Sequence, residues 1–194
     1  MIVDLIRHGE PVGGRRYRGQ IDDPLSDKGW SQMWSAVEVT QNWEVIVTSS
    51  LSRCSEFAYA LGQRLDLSVY EEQRFKEIGF GEWEGHTAAE ICADDPDRLL
   101  KFFRDPVRFR PAGAELLDDF SSRVQSAWDE MLQRFSGQHV LIVAHAGVIR
   151  AVTALVLGIP IAHMFRLQVG NAGVSRFQID SDRPPVLVMH NARF

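Results

Sequence analysis

Four residues near the start of the chain, Arg7-His8-Gly9-Glu10, follow the strand-like run Ile2-Val3-Asp4-Leu5-Ile6. A histidine delivered by the carboxyl end of an early strand lies where open α/β sheets bind their ligands. The arginine can neutralise an anion, the glycine lets backbone approach closely, and the imidazole is a nucleophile near neutral pH. Attack on a phosphorus centre is the chemistry that uses all three. A strand end that happens to carry polar side chains explains the tetrapeptide as well. The choice therefore rests on what else the same sheet edge gathers.

A second strand, Val45-Ile46-Val47, ends in Thr48-Ser49-Ser50, with Arg53 in the first turn of the following helix. The strongest strand, Val140–Val143, delivers His145-Ala146-Gly147. The free N–H groups of a helix opening there would bind an anion. Arg7, Arg53, His8, His145 and the backbone at Gly9 and Ala146 would together make a phosphate pocket. His8 would attack and His145 would stabilise the transferring phosphoryl group. An alcohol leaving group also needs a proton donor, for which Glu77, Glu82 and Glu84 are the candidates. Spacing alone does not choose between them.

Behind these residues the chain reads as alternating strands and helices. Ser26 is a credible N-cap for a helix carrying Trp30, Met33, Trp34 and Val37 at helical spacing. A helix from about Ser52 carries Phe57, Leu61 and Leu65, and a short strand falls near Ser68–Tyr70. Residues 79–85 form an ordered Gly-rich loop, and 87–111 are helical in pieces broken by Pro96, Pro106 and Pro111. That broken stretch is the candidate cap over a site. A long helix over 115–135 aligns Leu116, Phe120, Val124, Trp128 and Leu132, and an apolar helix covers 148–157. Strands at Val174–Ile179 and Val186–Met189 follow. This alternation predicts an α/β fold, a three-layer α/β/α sandwich around a mostly parallel sheet, as one domain over 1–194.

Composition narrows the function. A formal net charge of −5 gives no overall attraction to nucleic acid or an anionic membrane, so an anionic substrate needs a local arginine cluster. Arg15, Arg16 and Arg18 crowd the loop over 11–25, where Arg15 and Arg18 are candidate substrate contacts and otherwise solvated loop charges. Cys54 and Cys92 provide neither a disulfide framework nor a zinc spacing. His139 and His145 lie on one strand about 20 Å apart at ~3.3 Å per residue, too far to share an ion. No metal and no cofactor is expected. Nor does the start suggest a signal peptide, and the apolar runs are too short to cross a membrane, so cytoplasm is the expected location.

Taken in order, four segments resemble the histidine phosphatase superfamily in its phosphoglycerate-mutase-like branch. They are Arg7-His8-Gly9-Glu10, Ser49-Ser50-Leu51-Ser52-Arg53, Glu77-Ile78-Gly79-Phe80-Gly81-Glu82-Trp83-Glu84-Gly85 and His145-Ala146-Gly147. The resemblance implies His8 as nucleophile, Arg7, Arg53 and His145 around the phosphate, and Glu77 as proton donor. It also implies a transient phosphohistidine without a metal. Within the superfamily the loop from Tyr17 to Gly29 is most similar to α-ribazole phosphatases, so α-ribazole 5′-phosphate, of cobalamin assembly, is the expected small-metabolite substrate. A cofactor-dependent mutase, a sugar (bis)phosphatase and a phosphoprotein phosphatase are alternatives on the same fold. A non-catalytic phospho-ligand module is a further one, which would be marked by loss of His8 or of the acid. Departures from the family pattern are Gly14 in place of an asparagine, Arg18-Gly19 in place of Gln-Gly, Ala146 in place of glycine, and Gly113-Ala114-Glu115-Leu116 without its hydroxyl.

Overall fold

Strand parity decides how this chain folds. Val3 and Leu5, Val45 and Val47, and Val140 and Ile142 point to one side of a sheet; Ile6, Ile46, Leu141 and Val143 point to the other. Both sets are buried, so both faces need cover. In a computed structural model, which describes residues 1–39 and 42–192, the cover is helical.

Six strands form the sheet: β1 (Ile2–Arg7), β2 (Val45–Thr48), β3 (Val69–Glu71), β4 (His139–Ala144), β5 (Val174–Gln178) and β6 (Val186–Ala192). Their order is β3-β2-β4-β1-β5-β6. The first four are parallel, and β5 runs antiparallel to both β1 and β6. On one face lie α1 (Asp27–Ala36) and α2 (Ser52–Leu65), burying Met33, Phe57 and Leu61. On the other lie α5 (Leu117–Arg134) and α6 (Ala146–Leu157), burying Phe120, Trp128 and Val152. This is the expected α/β/α sandwich with a mostly parallel sheet.

Local chemistry explains several boundaries. The Ser26 side chain accepts from Gly29 N–H at 3.0 Å, which starts α1 where the capping residue indicated. Asp4 breaks the apolar run of β1 yet is fully buried. Its carboxylate accepts two bonds from Arg176, at 2.7 and 2.9 Å, and one from Trp43 Nε1 at 2.8 Å, with His139 Nε2 at 2.9 Å. A buried carboxylate so satisfied is structural.

Some element ends differ from the sequence reading. The long helix starts at Leu117, since the backbone at Leu116 is extended (φ −68°, ψ 138°), and the N–H of Glu115 just before it pairs with Gly79 O at 3.0 Å. Leu116 is therefore 51% exposed, and the buried stripe runs through Leu117, Phe120, Val124, Ala127, Trp128 and Met131. The apolar helix α6 begins two residues earlier than expected, directly after His145, and β3 is shifted by one residue. The 87–111 stretch holds α3 (Ala88–Ile91) and α4 (Arg98–Arg104). They gather on a small apolar cluster of Trp83, Ile91 and Phe102, apart from the two main cores. Among the described residues no helix is long and apolar enough to cross a membrane.

Candidate active site

Register brings the chemistry together. Arg7 pairs with Ala144 and Thr48 with Val143, so β1, β4 and β2 end at one edge, each followed by a polar residue. A cavity of about 890 Å³ opens over that edge. Arg7, His8, Arg15, Arg18, Arg53, Glu77 and Ala146 all line it. Gly9 and His145 do not.

His8 is 5% exposed, and its Nδ1 lies 2.7 Å from Gly9 O. A carbonyl only accepts, so Nδ1 carries the proton and Nε2 keeps its lone pair. Burial, with Arg7 and Arg53 adding to it, holds the His8 pKa well below the usual 6.5. The ring is neutral at pH 7. Gly9 thus acts through its carbonyl. It also sits against α1: a Cβ there would lie 2.2 Å from Gly29 O.

His145 is fully buried behind His8, with ring centroids 5.2 Å apart and planes at 64°. Its Nε2 is 2.8 Å from Ser49 Oγ, so the end of β2 fixes a ring carried by β4. Desolvation pushes its pKa well below 6.5 as well. It is a neutral hydrogen-bonding group here, not a cation.

The two arginines carry the charge. Arg53 is 1% exposed, and its Nη1 and Nη2 donate to Ile21 O and Gly19 O at 2.7 and 2.8 Å. Arg7 Nη1 donates to Val169 O at 2.7 Å, and burial lowers its pKa to about 10. The Nε atoms of both are buried without a hydrogen-bond partner. Buried N–H groups of a cation are rarely left unpaired, because each loses its water without replacement. Both residues line the cavity, where their charge would hold an oxyanion.

Of the three candidate acids, Glu77 alone lines the cavity. Its Oε1 accepts from Ile78 N–H at 3.0 Å and Gly147 N–H at 3.1 Å. The helix N-terminus expected to meet the phosphate therefore gives its Gly147 N–H to the acid. Glu84 is a brace, accepting from Phe80 N–H at 2.8 Å and Gln20 N–H at 3.2 Å, and Glu82 is exposed. The segment carrying Glu77 is held from behind by Arg123, which donates to Lys76 O at 2.8 Å and Glu77 O at 3.1 Å. Glu115 pairs with Arg123 at 2.6 Å and accepts from Gly79 N–H at 3.0 Å.

Arg18 is 7% exposed and occupied within its loop, with Asp23 at 2.8 Å and Val12 O at 2.5 Å, so it shapes the wall. Arg15 is exposed, lines the cavity and has no partner among the described residues. The sequence reading placed Ser49 at the sheet edge but gave it no role, and gave none to the Glu115–Arg123 pair, Arg150 or an aromatic wall of Tyr17, Phe80, Phe103 and Phe165. Arg150 had a visible signal: it is the one charge in α6 and sits a helical turn beyond Gly147. The others depend on tertiary contacts with no local pattern. Thr87, Ala88, Ala89 and Phe103 extend the wall from the 87–111 stretch. Among the described residues no group of three or more His, Cys, Asp or Glu could hold a metal ion.

The histidine phosphatase superfamily (branch 1) model matches residues 3–192. A glucosyl-3-phosphoglycerate phosphatase from Mycolicibacterium vanbaalenii is 35% identical over 168 residues, 81% of this chain and 74% of the relative. The solved structure of mycobacterial glucosyl-3-phosphoglycerate phosphatase superposes with a TM-score of 0.88 at 30% identity, over 100% of this chain and 99% of that one. The α-ribazole phosphatase of Shigella flexneri superposes with a TM-score of 0.85 at 26% identity, over 100% and 97%. The chain belongs to the histidine phosphatase superfamily and is a phosphatase of it.

Proposed function

From membership in that superfamily, we propose that the chain hydrolyses a small phosphorylated metabolite through a phosphohistidine on His8. The observation that carries this reading is the pair of arginines, half-buried Arg7 and buried Arg53, that lines the cavity beside a neutral His8. In the first step His8 Nε2 attacks phosphorus, the bond to the ester oxygen breaks, and protonated Glu77 gives its proton to the departing alkoxide. Arg7 and Arg53 hold the equatorial oxygens, with the Ala146 backbone beside them and the neutral His145 ring behind His8. In the second step the Glu77 carboxylate takes a proton from water as its oxygen attacks phosphorus. The P–N bond breaks, releasing phosphate and neutral His8.

Residues 87–111 act as a cap. Their contribution to the cavity wall favours a small substrate over a phosphoprotein, which needs an open, flat site. Two leaving groups have support. The Tyr17–Gly29 loop and the Shigella neighbour favour α-ribazole 5′-phosphate. The relative at 35% identity favours a glucosyl-3-phosphoglycerate.

The test is His8→Ala with an aryl phosphate. Turnover should vanish while circular dichroism and the thermal midpoint show a folded protein. Denaturing the wild type at alkaline pH, where a P–N bond survives, during turnover of a ³²P-labelled ester should leave label on His8. Activity surviving in His8→Ala would sink the mechanism.

A further inference from the structure

The phosphate end of the cavity uses Arg7 and Arg53, yet two more guanidinium groups line the same space. Arg150, on α6, is half-buried. Its Nε donates to Leu167 O at 2.8 Å and its guanidinium lies 5.7 Å over the Phe165 ring. That contact aims it and leaves both Nη groups without a protein acceptor. Arg15, in the loop that follows β1, makes no hydrogen bond to the described residues. Among those residues neither has a carboxylate within 4.0 Å, whereas the neighbouring Arg16 and Arg18 have Glu90 and Asp23.

Charge counting shows what is missing. Glu10 on the wall is matched by Lys28, 2.9 Å away. Arg7, Arg53, Arg15 and Arg150 therefore face a single unpaired acid, Glu77. A bound phosphate dianion still leaves at least one positive charge without a counter-charge. Both Arg150 and Arg15 lie close enough to Arg7 to help lower its pKa, so the surplus sits next to the reacting centre.

We propose that Arg150 and Arg15 form a second anion subsite, and that the natural substrate is a phosphomonoester whose alcohol half carries a carboxylate. This rests on the phosphatase reading and narrows it. A planar guanidinium fork matches a carboxylate bidentately, and Phe165 holds the Arg150 plane for that contact. The subsite works against α-ribazole 5′-phosphate, whose nucleoside half carries no second anion.

The test compares kcat/KM for 3-phosphoglycerate, glycerol 3-phosphate and fructose bisphosphate, in wild type, Arg150→Met and Arg15→Met. Wild type should prefer 3-phosphoglycerate over glycerol 3-phosphate. That preference ratio should fall on the order of 10–100-fold in Arg150→Met and about 3–10-fold in Arg15→Met, for loss of charge-assisted hydrogen bonds. Arg15 is exposed, so its variant does not depend on Arg150→Met folding well. A ratio unchanged in both variants, or a wild type indifferent to the carboxylate, overturns the proposal. Fructose bisphosphate as the preferred substrate would assign the subsite to a second phosphate and overturn the carboxylate. Hydrolysis of none of the three, nor of an aryl phosphate, would instead bring down the phosphatase reading itself.

Discussion

Gly147→Ala separates the chemistry of the site from its stability. A Cβ at this position would sit 2.1 Å from Glu77 Oε1, 3.2 Å from its Cδ and 3.3 Å from Ile78 Cγ2. Ordinary contact begins at 3.4 Å, so the carboxylate must retreat by about 1.3 Å. It is the movable partner, since Gly147 is locked into the first turn of α6. A displacement of ~1 Å in a reacting group lowers rate on the order of 10²-fold, and a general acid contributes roughly 10²–10⁴-fold in all. We therefore expect kcat/KM for an alkyl phosphate to fall about 100-fold, which is about 2.7 kcal/mol of barrier. The fold should not suffer, because alanine in a helix is up to ~1 kcal/mol better than glycine and offsets the crowding.

The assay is a comparison of leaving groups. An alkoxide needs the proton from Glu77; a nitrophenolate hardly does. Because kcat/KM reports steps up to formation of phospho-His8, the aryl ester should lose less than about tenfold. Its second step still needs Glu77 as base, so nitrophenol should appear in a burst matching the enzyme concentration. Equal losses for both esters, with an unchanged thermal midpoint, would refute Glu77 as the proton donor.

Two further expectations concern stability. His8 and His145 are both held neutral in the folded protein, with pKa values pushed well below 6.5 by burial. In the unfolded chain they protonate near 6.5, so the unfolded state binds more protons and stability falls as pH drops below that value. The two together give a slope of up to about 2.7 kcal/mol per pH unit, which urea unfolding of the phosphate-free protein between pH 7.5 and 5.5 would measure. His8→Ala should remove up to half of this slope, and an identical slope in the variant would contradict a neutral His8. Separately, Gly9→Ala would drive a methyl into Gly29 backbone at 2.2–2.8 Å, where no side chain can yield. Destabilisation of at least about 2 kcal/mol is expected, and an unchanged urea midpoint would refute the close packing of β1 on α1.

Much of this was legible in the sequence because sheet parity and the edge rule are local patterns. Three strands ending in Arg7-His8, Thr48-Ser49 and His145 place their polar residues together once the sheet is parallel. Arg53 was legible for the same reason, one turn into the helix after β2. What failed were inferences needing a partner from elsewhere. Leu116 looked like part of an apolar stripe, but Glu115 is drawn to the Gly79 loop and the helix starts after it. Glu77 could not be told from Glu82 and Glu84 because the distinction is which carboxylate meets the α6 N-terminus. Spacing contains no trace of that.

The departures from the family pattern take physical meaning from the same contacts. Ala146 stands where glycine is usual and lines the cavity at 7% exposure, so a methyl there is accommodated. The next position admits one only by displacing Glu77, whose carboxylate occupies the space. The requirement for glycine thus belongs to the acid, and only through it to the phosphate. Gly14, in place of asparagine, has a φ of +72° and nothing within 4 Å of where its Cβ would be. Gly14 and Arg15 both line the cavity, so position 14 adds no side chain beside the arginine of the proposed subsite.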